Sequence, residues 1–261
     1  MANLSPFAVN TIIVGNCLKI MPTLPDGCID LIITDPPWCI SKEVTIHRSM
    51  NPKKYKYVGK DISLDFGEWD HFKDEKTYWA FIEPWMKEQA RLLREGGHLV
   101  TFFDQNRTSM LIALARELGL LMRQHLYWLK TNPVPRARKV DFMIALEQAV
   151  WFTKPPRNKA TFNYWLGQQR NYVESCIPGH ISRADGERTH PTQKPTRVLG
   201  VWISYLSNPG DLVADFVCGS GSTLVAAARL KRNFFGCDIC EEYVKSALRW
   251  LEKDKAQLSF I

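Results

Sequence analysis

Apolar and polar positions along the chain fall into blocks of two periods. Residues 11–14 form a β-branched run closed by Gly15, and 29–34 is a nearly continuous apolar run, the pattern of a strand buried on both faces. That run stops at Asp35-Pro36-Pro37-Trp38, because two prolines cannot continue a central strand. Over 75–94, Trp79, Ile82, Met86 and Leu93 recur near helical spacing, and Gly96-Gly97 supplies a stop signal before a strand at 98–103. A helix is predicted at 108–118, ending at Gly119, then strands at 125–129 and 145–152, with Asn132-Pro133-Val134-Pro135 between them. The C-terminal part predicts a helix at 197–206, a strand at 212–215, a tight turn at 218–221, a helix at 224–230 and a strand at 233–237. A charged helix at 241–253 follows. Strands alternating with helices predict the α/β class with a doubly wound, largely parallel sheet.

Two stretches lack a sustained period. Residues 39–67 follow the double proline as a long polar segment, and a loop of that length in a compact domain points to function or disorder. Residues 155–189 are the second such segment, with fewer residues than a self-standing domain needs. The expected organisation is therefore one domain over 1–261, carrying a mobile loop at 39–67 and a small insertion at 155–189.

Composition narrows the class. The chain has 261 residues, 45% hydrophobic and 23% charged, so it is neither disordered nor fibrous. No apolar run approaches the roughly 18 residues of a membrane span, and the first residues lack a basic start followed by an apolar stretch. A cytoplasmic protein without membrane contact is expected. Seven cysteines, an odd number scattered through apolar segments, read as reduced thiols. Cys237 and Cys240 form a C-x-x-C, but with no second pair they read better as core thiols than as metal ligands, and no metal is expected. The same holds for Cys176, His180 and His190.

The sharpest pattern near the C-terminus is Asp215-Phe-Val-Cys-Gly219-Ser220-Gly221-Ser222-Thr223, after a strand and opening a helix. Glycines there let a backbone approach a ligand closely; alone, the pattern fits an ordinary strand-to-helix turn equally well. Asp238, at the end of the next strand, adds an acceptor for both hydroxyls of a ribose. Asp215 would repel a pyrophosphate, so a ligand with a ribose and a cationic head, S-adenosylmethionine (AdoMet), suits the set better.

In Asp35-Pro36-Pro37-Trp38 the prolines fix the backbone so that the carboxylate and a neighbouring carbonyl can point the same way. Two adjacent acceptors match the two N–H donors of an exocyclic amine, and Trp38 offers a face for base stacking, worth roughly 1–3 kcal/mol. A nucleobase amine is a poor nucleophile because its lone pair is delocalised into the ring. Acceptors off the base plane favour the pyramidal nitrogen that can attack a methyl group, and Asp35 can help dispose of the proton. The plain alternative is a proline-stiffened turn bearing a surface tryptophan.

Taken together these motifs resemble the DNA amino-methyltransferases of the permuted, β-type order, in which the D-P-P-W segment comes first and the AdoMet turn last. The likeness runs over most of the chain: residues 3–38, LLREGGHLV at 92–100, WLKTNP at 128–133, EQAVWFTK at 147–154, and the H-P-T-Q-K-P signature at 190–195. The resemblance implies a Rossmann-like AdoMet-dependent methyltransferase fold, mostly parallel with an antiparallel edge strand. It implies that Asp35, Asp215, Gly219, Ser220, Gly221 and Ser222 line AdoMet, with Asp238 on its ribose and Thr192 and Lys194 near its methionyl end or bracing the turn. Asn16 stands where the family often has Asp, and would bond the cofactor's adenine amine. Phe216-Val217 departs from the family's D-P-F-x-G-S-G, leaving Val217 where an aromatic wall is usual.

Charge placement then points to a partner. The net charge is +7, and six basic residues (Lys42, Arg48, Lys53, Lys54, Lys56 and Lys60) crowd the loop after Trp38, interleaved with Tyr55 and Tyr57. A basic loop beside a catalytic pocket suits phosphate gripping around an extruded base; the alternative is a merely solvated loop. Arg136, Arg138 and Lys139 form a second cluster, and 155–189, with Arg157 and Arg170, is the candidate target-recognition segment. The expected partner is double-stranded DNA, with a homodimer and a cognate restriction enzyme as further partners and a prokaryotic or phage origin. The expected reaction is methylation of adenine's exocyclic amine. The alternatives are cytosine's exocyclic amine and a non-catalytic DNA-binding regulator on the same scaffold.

Overall fold

The computed structural model describes residues 4–39, 45–46, 62–63, 70–135, 140–178 and 192–258. The chain forms two compact units, residues 1–36 with 83–261, and residues 37–82. In chain order the elements are β1 (Thr11–Val14), α1 (Cys17–Ile20), β2 (Ile29–Thr34), β3 (Thr45–Ile46), β4 (Ile62–Ser63) and α2 (Glu75–Leu92). Then follow β5 (Leu93–Phe102), α3 (Thr108–Glu117), β6 (Leu121–Lys130), β7 (Leu146–Thr153) and β8 (Tyr172–Ser175). The chain continues with α4 (Thr196–Leu206), β9 (Leu212–Asp215), α5 (Ser222–Arg229), β10 (Asn233–Asp238) and α6 (Glu241–Leu258).

The larger unit is built on an 8-stranded sheet in the order β1-β10-β9-β2-β5-β7-β6-β8. Ile29, Leu31, Ile32 and Ile33 of β2 are completely buried, as a central strand covered on both faces requires. β9 runs parallel to β2 with Ile32 opposite Ala214, so the strands ending beside Asp35 and at Asp215 are neighbours although 180 residues apart in sequence. Chain connections leave β9 toward β10 and β2 toward β5, in opposite directions across the sheet. The gap between β2 and β9 is therefore the switch point where doubly wound sheets bind ligands.

The mostly parallel α/β class is borne out, with one change of detail. The reversed strand is β7, antiparallel to both β5 and β6, and it lies inside the sheet instead of at its edge. The edge is taken by β8, which pairs parallel to β6 and lets the Trp128 indole donate to the Ser175 carbonyl at 3.0 Å. A four-residue strand with one buried residue, Val173, in a polar stretch gives little periodicity to detect.

The start of β5 also differs from the expected helix cap. The helix ends at Leu92, Leu93 pairs with Ile29, and the register resumes only at Leu31 opposite His98. The looped-out residues accommodate the following insertion. Gly96 has φ +76°, and a Cβ there would lie 2.3 Å from the Lys159 carbonyl oxygen. Arg94 bonds Asp30 at 2.5 Å, and His98, buried between Thr153 and the Thr161 carbonyl, has its pKa lowered to about 4 by that burial. Residues 157–161 are thus fastened to the N-terminal ends of the strands.

In the smaller unit β3 and β4 form an antiparallel two-residue pair. The basic residues Lys42, Arg48, Lys53, Lys54 and Lys56, and with them nearly all of the expected 39–67 loop, lie outside the described residues, as do Arg136, Arg138 and Lys139. Among the described residues no helix is long and apolar enough to cross a membrane.

Candidate active site

Asp35 follows the last residue of β2 and is half-buried, with its side chain 21% exposed. Its Oδ2 receives the Lys194 ammonium in a short ion pair. Lys194 is carried there by residues 192–195 leading into α4, and it also pairs with Glu147 at 2.8 Å. Glu147 in turn pairs with Lys130 at 2.8 Å, giving an alternating string Asp35–Lys194–Glu147–Lys130. The Lys194 ammonium stands 4.9 Å from the Phe102 ring centroid, a cation–π contact at the end of β5. Burial alone would lower the Lys194 pKa, but Asp35 and Glu147 more than reverse this and hold the ammonium charged. Burial would likewise raise Glu147, and the two lysines pull it below the ordinary glutamate value.

Beside this string lies the glycine turn. Asp215 ends β9 almost wholly buried, and burial pushes its carboxyl up to about 7 against the donors of Thr34, Val217 and Thr223, with Asp35 adding repulsion. The turn is closed by Gly221 N–H donating to the Cys218 carbonyl at 2.8 Å, and Gly219 and Gly221 have φ +49° and +83°. Asp238, at the end of β10, accepts from Gly219 N–H at 2.8 Å and Cys240 N–H at 2.9 Å, so one carboxylate ties strand to turn. Burial raises its pKa despite these bonds. Ser220 and Ser222 are buried in the turn, and among the described residues the Ser222 hydroxyl has no hydrogen-bond partner.

The structure therefore brings Asp35, Lys194, Asp215, Gly219, Ser220, Gly221, Ser222 and Asp238 to the ends of adjacent strands, with Thr192 on the approach to Lys194. Asn16 caps α1: its side-chain oxygen accepts from Leu18 N–H at 2.9 Å, so the expected acceptor is already engaged. Phe216 is fully buried against Phe235, ring centroids 6.1 Å apart, while Val217 is half-exposed at the turn. The aromatic of this segment belongs to the core, and Val217 is left partly exposed. Cys237 is buried with its thiol donating to the Phe216 carbonyl at 3.3 Å, while Cys240 is half-buried, so of the C-x-x-C pair Cys237 belongs to the core.

Arg157 and Arg170 are not brought to this group. Arg157 sits with the segment fastened near Asp30, five residues before Asp35 on an extended strand, or about 16 Å away along it. Arg170 lies at the far edge beside β8, bonded to the Tyr172 hydroxyl at 2.5 Å and stacked over that ring at 5.6 Å.

Within the smaller unit, Asp70 accepts from the backbone N–H of Trp38 at 2.6 Å and of Cys39 at 2.8 Å. The Tyr78 hydroxyl donates to the Pro37 carbonyl at 3.0 Å. Sequence reasoning missed Asp70, Tyr78, Glu147 and Phe102. Glu147 carried a signal, as a charged residue at the head of the apolar run AVWF.

The sequence model of the DNA methylase family matches residues 29–249. Type II methyltransferase M.HinfI of Haemophilus influenzae is 32% identical over 263 residues, covering 97% of this chain and 71% of that protein. Type II methyltransferase M2.MboI of Moraxella bovis is 27% identical over 243 residues, covering 90% and 85%. Two solved structures share the fold. The M1.HpyAVI–SAM complex has a TM-score of 0.69 at 24% identity, covering 92% of this chain and 98% of that one. The cytosine-N4-specific PvuII DNA methyltransferase has a TM-score of 0.70 at 20% identity, covering 95% and 91%. A family match across most of the chain, on a sheet whose switch point gathers the carboxylates and the glycine turn, makes this chain a member of the N6/N4 amino-DNA methylase family.

Proposed function

We propose that the protein methylates the exocyclic amine of adenine in double-stranded DNA, with AdoMet as methyl donor and the target base extruded from the helix. The observation that carries this reading is the lysine-held carboxylate of Asp35 beside the buried Asp215 and the glycine turn. Bound AdoMet supplies an electrophilic methyl group. The residues fit such a cofactor: a buried carboxyl raised to about 7 gains from a cationic ligand, and the unpartnered Ser222 hydroxyl has a bond to give. Asp215, Gly219, Ser220, Gly221 and Ser222 would hold its methionyl part, Asp238 its ribose and Val217 its adenine ring, with Thr192 and Lys194 bracing the turn. Asn16, its oxygen capping α1, would offer its amide N–H group.

Asp35 would accept one N–H of the base amine. Since the Pro37 carbonyl takes the Tyr78 hydroxyl, the second acceptor assigned here is the carbonyl of Pro36, and Trp38 would stack on the base. Phosphate contacts are assigned to Lys42, Arg48, Lys53, Lys54, Lys56, Arg136, Arg138 and Lys139 from their clustering in the sequence. Mass spectrometry of nucleosides from treated DNA tests the reading, with 6-methyladenine expected. Formation of 4-methylcytosine alone would overturn adenine in favour of cytosine, and unmodified DNA would overturn methylation itself.

The raised Asp215 pKa predicts how cofactor binding depends on pH. If the cationic head of AdoMet needs the ionised carboxylate, binding tightens as pH rises from 6 to 8, by up to about tenfold per pH unit below 7. Asp215→Asn should flatten this profile in calorimetric titration. Asp215's own contribution to the stability of the cofactor-free protein runs in the opposite sense: between about pH 4 and 7 its carboxyl is protonated in the folded state and ionised in the unfolded chain, so this contribution falls as pH rises through that window.

A further inference from the structure

We propose that Glu147 is a positioning residue for the methyl-transfer site, orienting Asp35 through Lys194. The inference rests on the amino-methyltransferase reading but not on the choice of adenine. A parallel strand delivers its last residues to the ligand-binding end of the sheet; β7 runs the other way, so it delivers its first ones. Glu147 is the second residue of β7, opposite Trp128 near the end of β6, and this places its carboxylate level with the residues beyond β2. The reversal puts a glutamate where the parallel strands end.

Lys194 Nζ has three N–H donors, and its contacts include Asp35 Oδ2, Glu147 Oε1 at 2.8 Å and the Thr192 carbonyl at 3.4 Å, with the Phe102 ring beneath it. Glu147 holds one corner of that group and Lys130 holds Glu147 from the other side. Lys194 is thereby fixed in direction as well as position, and it passes that constraint to the carboxylate plane of Asp35.

A partly buried string of two carboxylates and two ammonium groups, centred on the buried Lys194, is not how a fold gains stability, because apolar residues of similar size often do as well or better. A string of this kind next to a reacting group makes sense if orientation is what it provides.

The test separates orientation from folding. In Glu147→Gln the shape and one acceptor are kept and the charge is lost. Expected are a fall of tenfold or more in kcat at saturating AdoMet, counted as tritium passed from labelled AdoMet into DNA, and an AdoMet Kd within threefold of wild type. Lys130→Met/Glu147→Gln restores charge balance and should bring Tm back to within about 2 °C of wild type, since removing both partners of a buried pair costs far less than removing one. Its kcat should stay low. Recovery of kcat together with Tm would make Glu147 a folding residue and overturn the proposal, as would wild-type kcat in the single variant. If the single variant fails to fold, the double variant carries the measurement. Counting total tritium makes the result independent of the base modified. A wild-type protein that incorporates none overturns the methylation reading and this inference with it, whereas an active wild type matched by Glu147→Gln overturns this inference alone.

Discussion

Asp35→Ala should reduce methyl transfer by about a thousandfold or more while changing the AdoMet dissociation constant by less than about tenfold. The size follows from the two roles the carboxylate would lose together, hydrogen-bond acceptance from the base amine and stabilisation of the positive charge developing on nitrogen, each worth on the order of 10²–10³. The separation of turnover from binding follows from the structure. Removing Asp35 leaves Lys194 paired with Glu147, so the buried ammonium keeps a carboxylate partner. The glycine turn is closed by its own bonds and by Asp238, none of which involves Asp35. Asp35→Asn keeps the shape and one acceptor oxygen and should retain more activity than Asp35→Ala. Single-turnover transfer of tritiated methyl, beside calorimetric AdoMet titration, checks both. Near-normal turnover in Asp35→Ala would remove this residue from the reaction.

Much of this site is legible in the sequence because its parts are local. Asp35 and Asp215 each close an apolar run, and a strand that ends on a carboxylate at the ligand-binding end of a parallel sheet leaves a mark any periodicity reading catches. Glycines at 219 and 221 sit where left-handed backbone is needed. What the sequence conceals are pairings across the sheet. Glu147 meets Lys194 only because β7 is reversed and internal, which local period does not reveal. Asp70 meets the Trp38 and Cys39 amides across some thirty residues of unpatterned chain.

Features whose local pattern does not reveal their tertiary placement have causes of the same kind. Gly96-Gly97 resembles a helix stop, yet Gly96 is required by the close passage of the Lys159 backbone, a contact made 63 residues later. Asn16 resembles a ligand-facing acceptor, but the amides starting α1 lie nearer and take its oxygen. Arg157 belongs to a polar segment with the composition of a base-reading surface, and its placement is decided by where Gly96, Arg94 and His98 fasten that segment. Composition suggests what a segment can contact, and tertiary anchoring decides which end of the sheet it reaches.

Gly221→Ala should cost both fold and cofactor, and Gly119→Ala separates the two causes. Both glycines adopt left-handed backbone, φ +83° and +79°, so an added methyl costs roughly 1–2 kcal/mol of backbone strain at either position. They differ in surroundings. Around Gly119 no described residue other than its chain neighbours lies within 4 Å of the new Cβ, whereas at Gly221 it would stand 2.7 Å from the Ala247 Cβ and 3.3 Å from its Cα. Those atoms belong to α6, whose buried Val244, Ala247, Trp250 and Leu251 fix it to the rest of the unit, so the turn is the part that must yield. Overpacking of that kind adds about 1–3 kcal/mol. At roughly 2–4 °C per kcal/mol for chains near this size, Gly221→Ala should lower Tm by roughly 5–15 °C and Gly119→Ala by a few degrees. A yielding turn also displaces the Gly219 N–H from Asp238 and moves Ser222, so the AdoMet dissociation constant should rise at least about tenfold in Gly221→Ala and stay unchanged in Gly119→Ala. Equal losses of affinity in the two variants would mean that strain spreads through the fold and that the turn is not the cofactor's seat. An affinity lost only at Gly221, with Tm shifts in the expected order, would tie the cofactor to the backbone between β9 and α5.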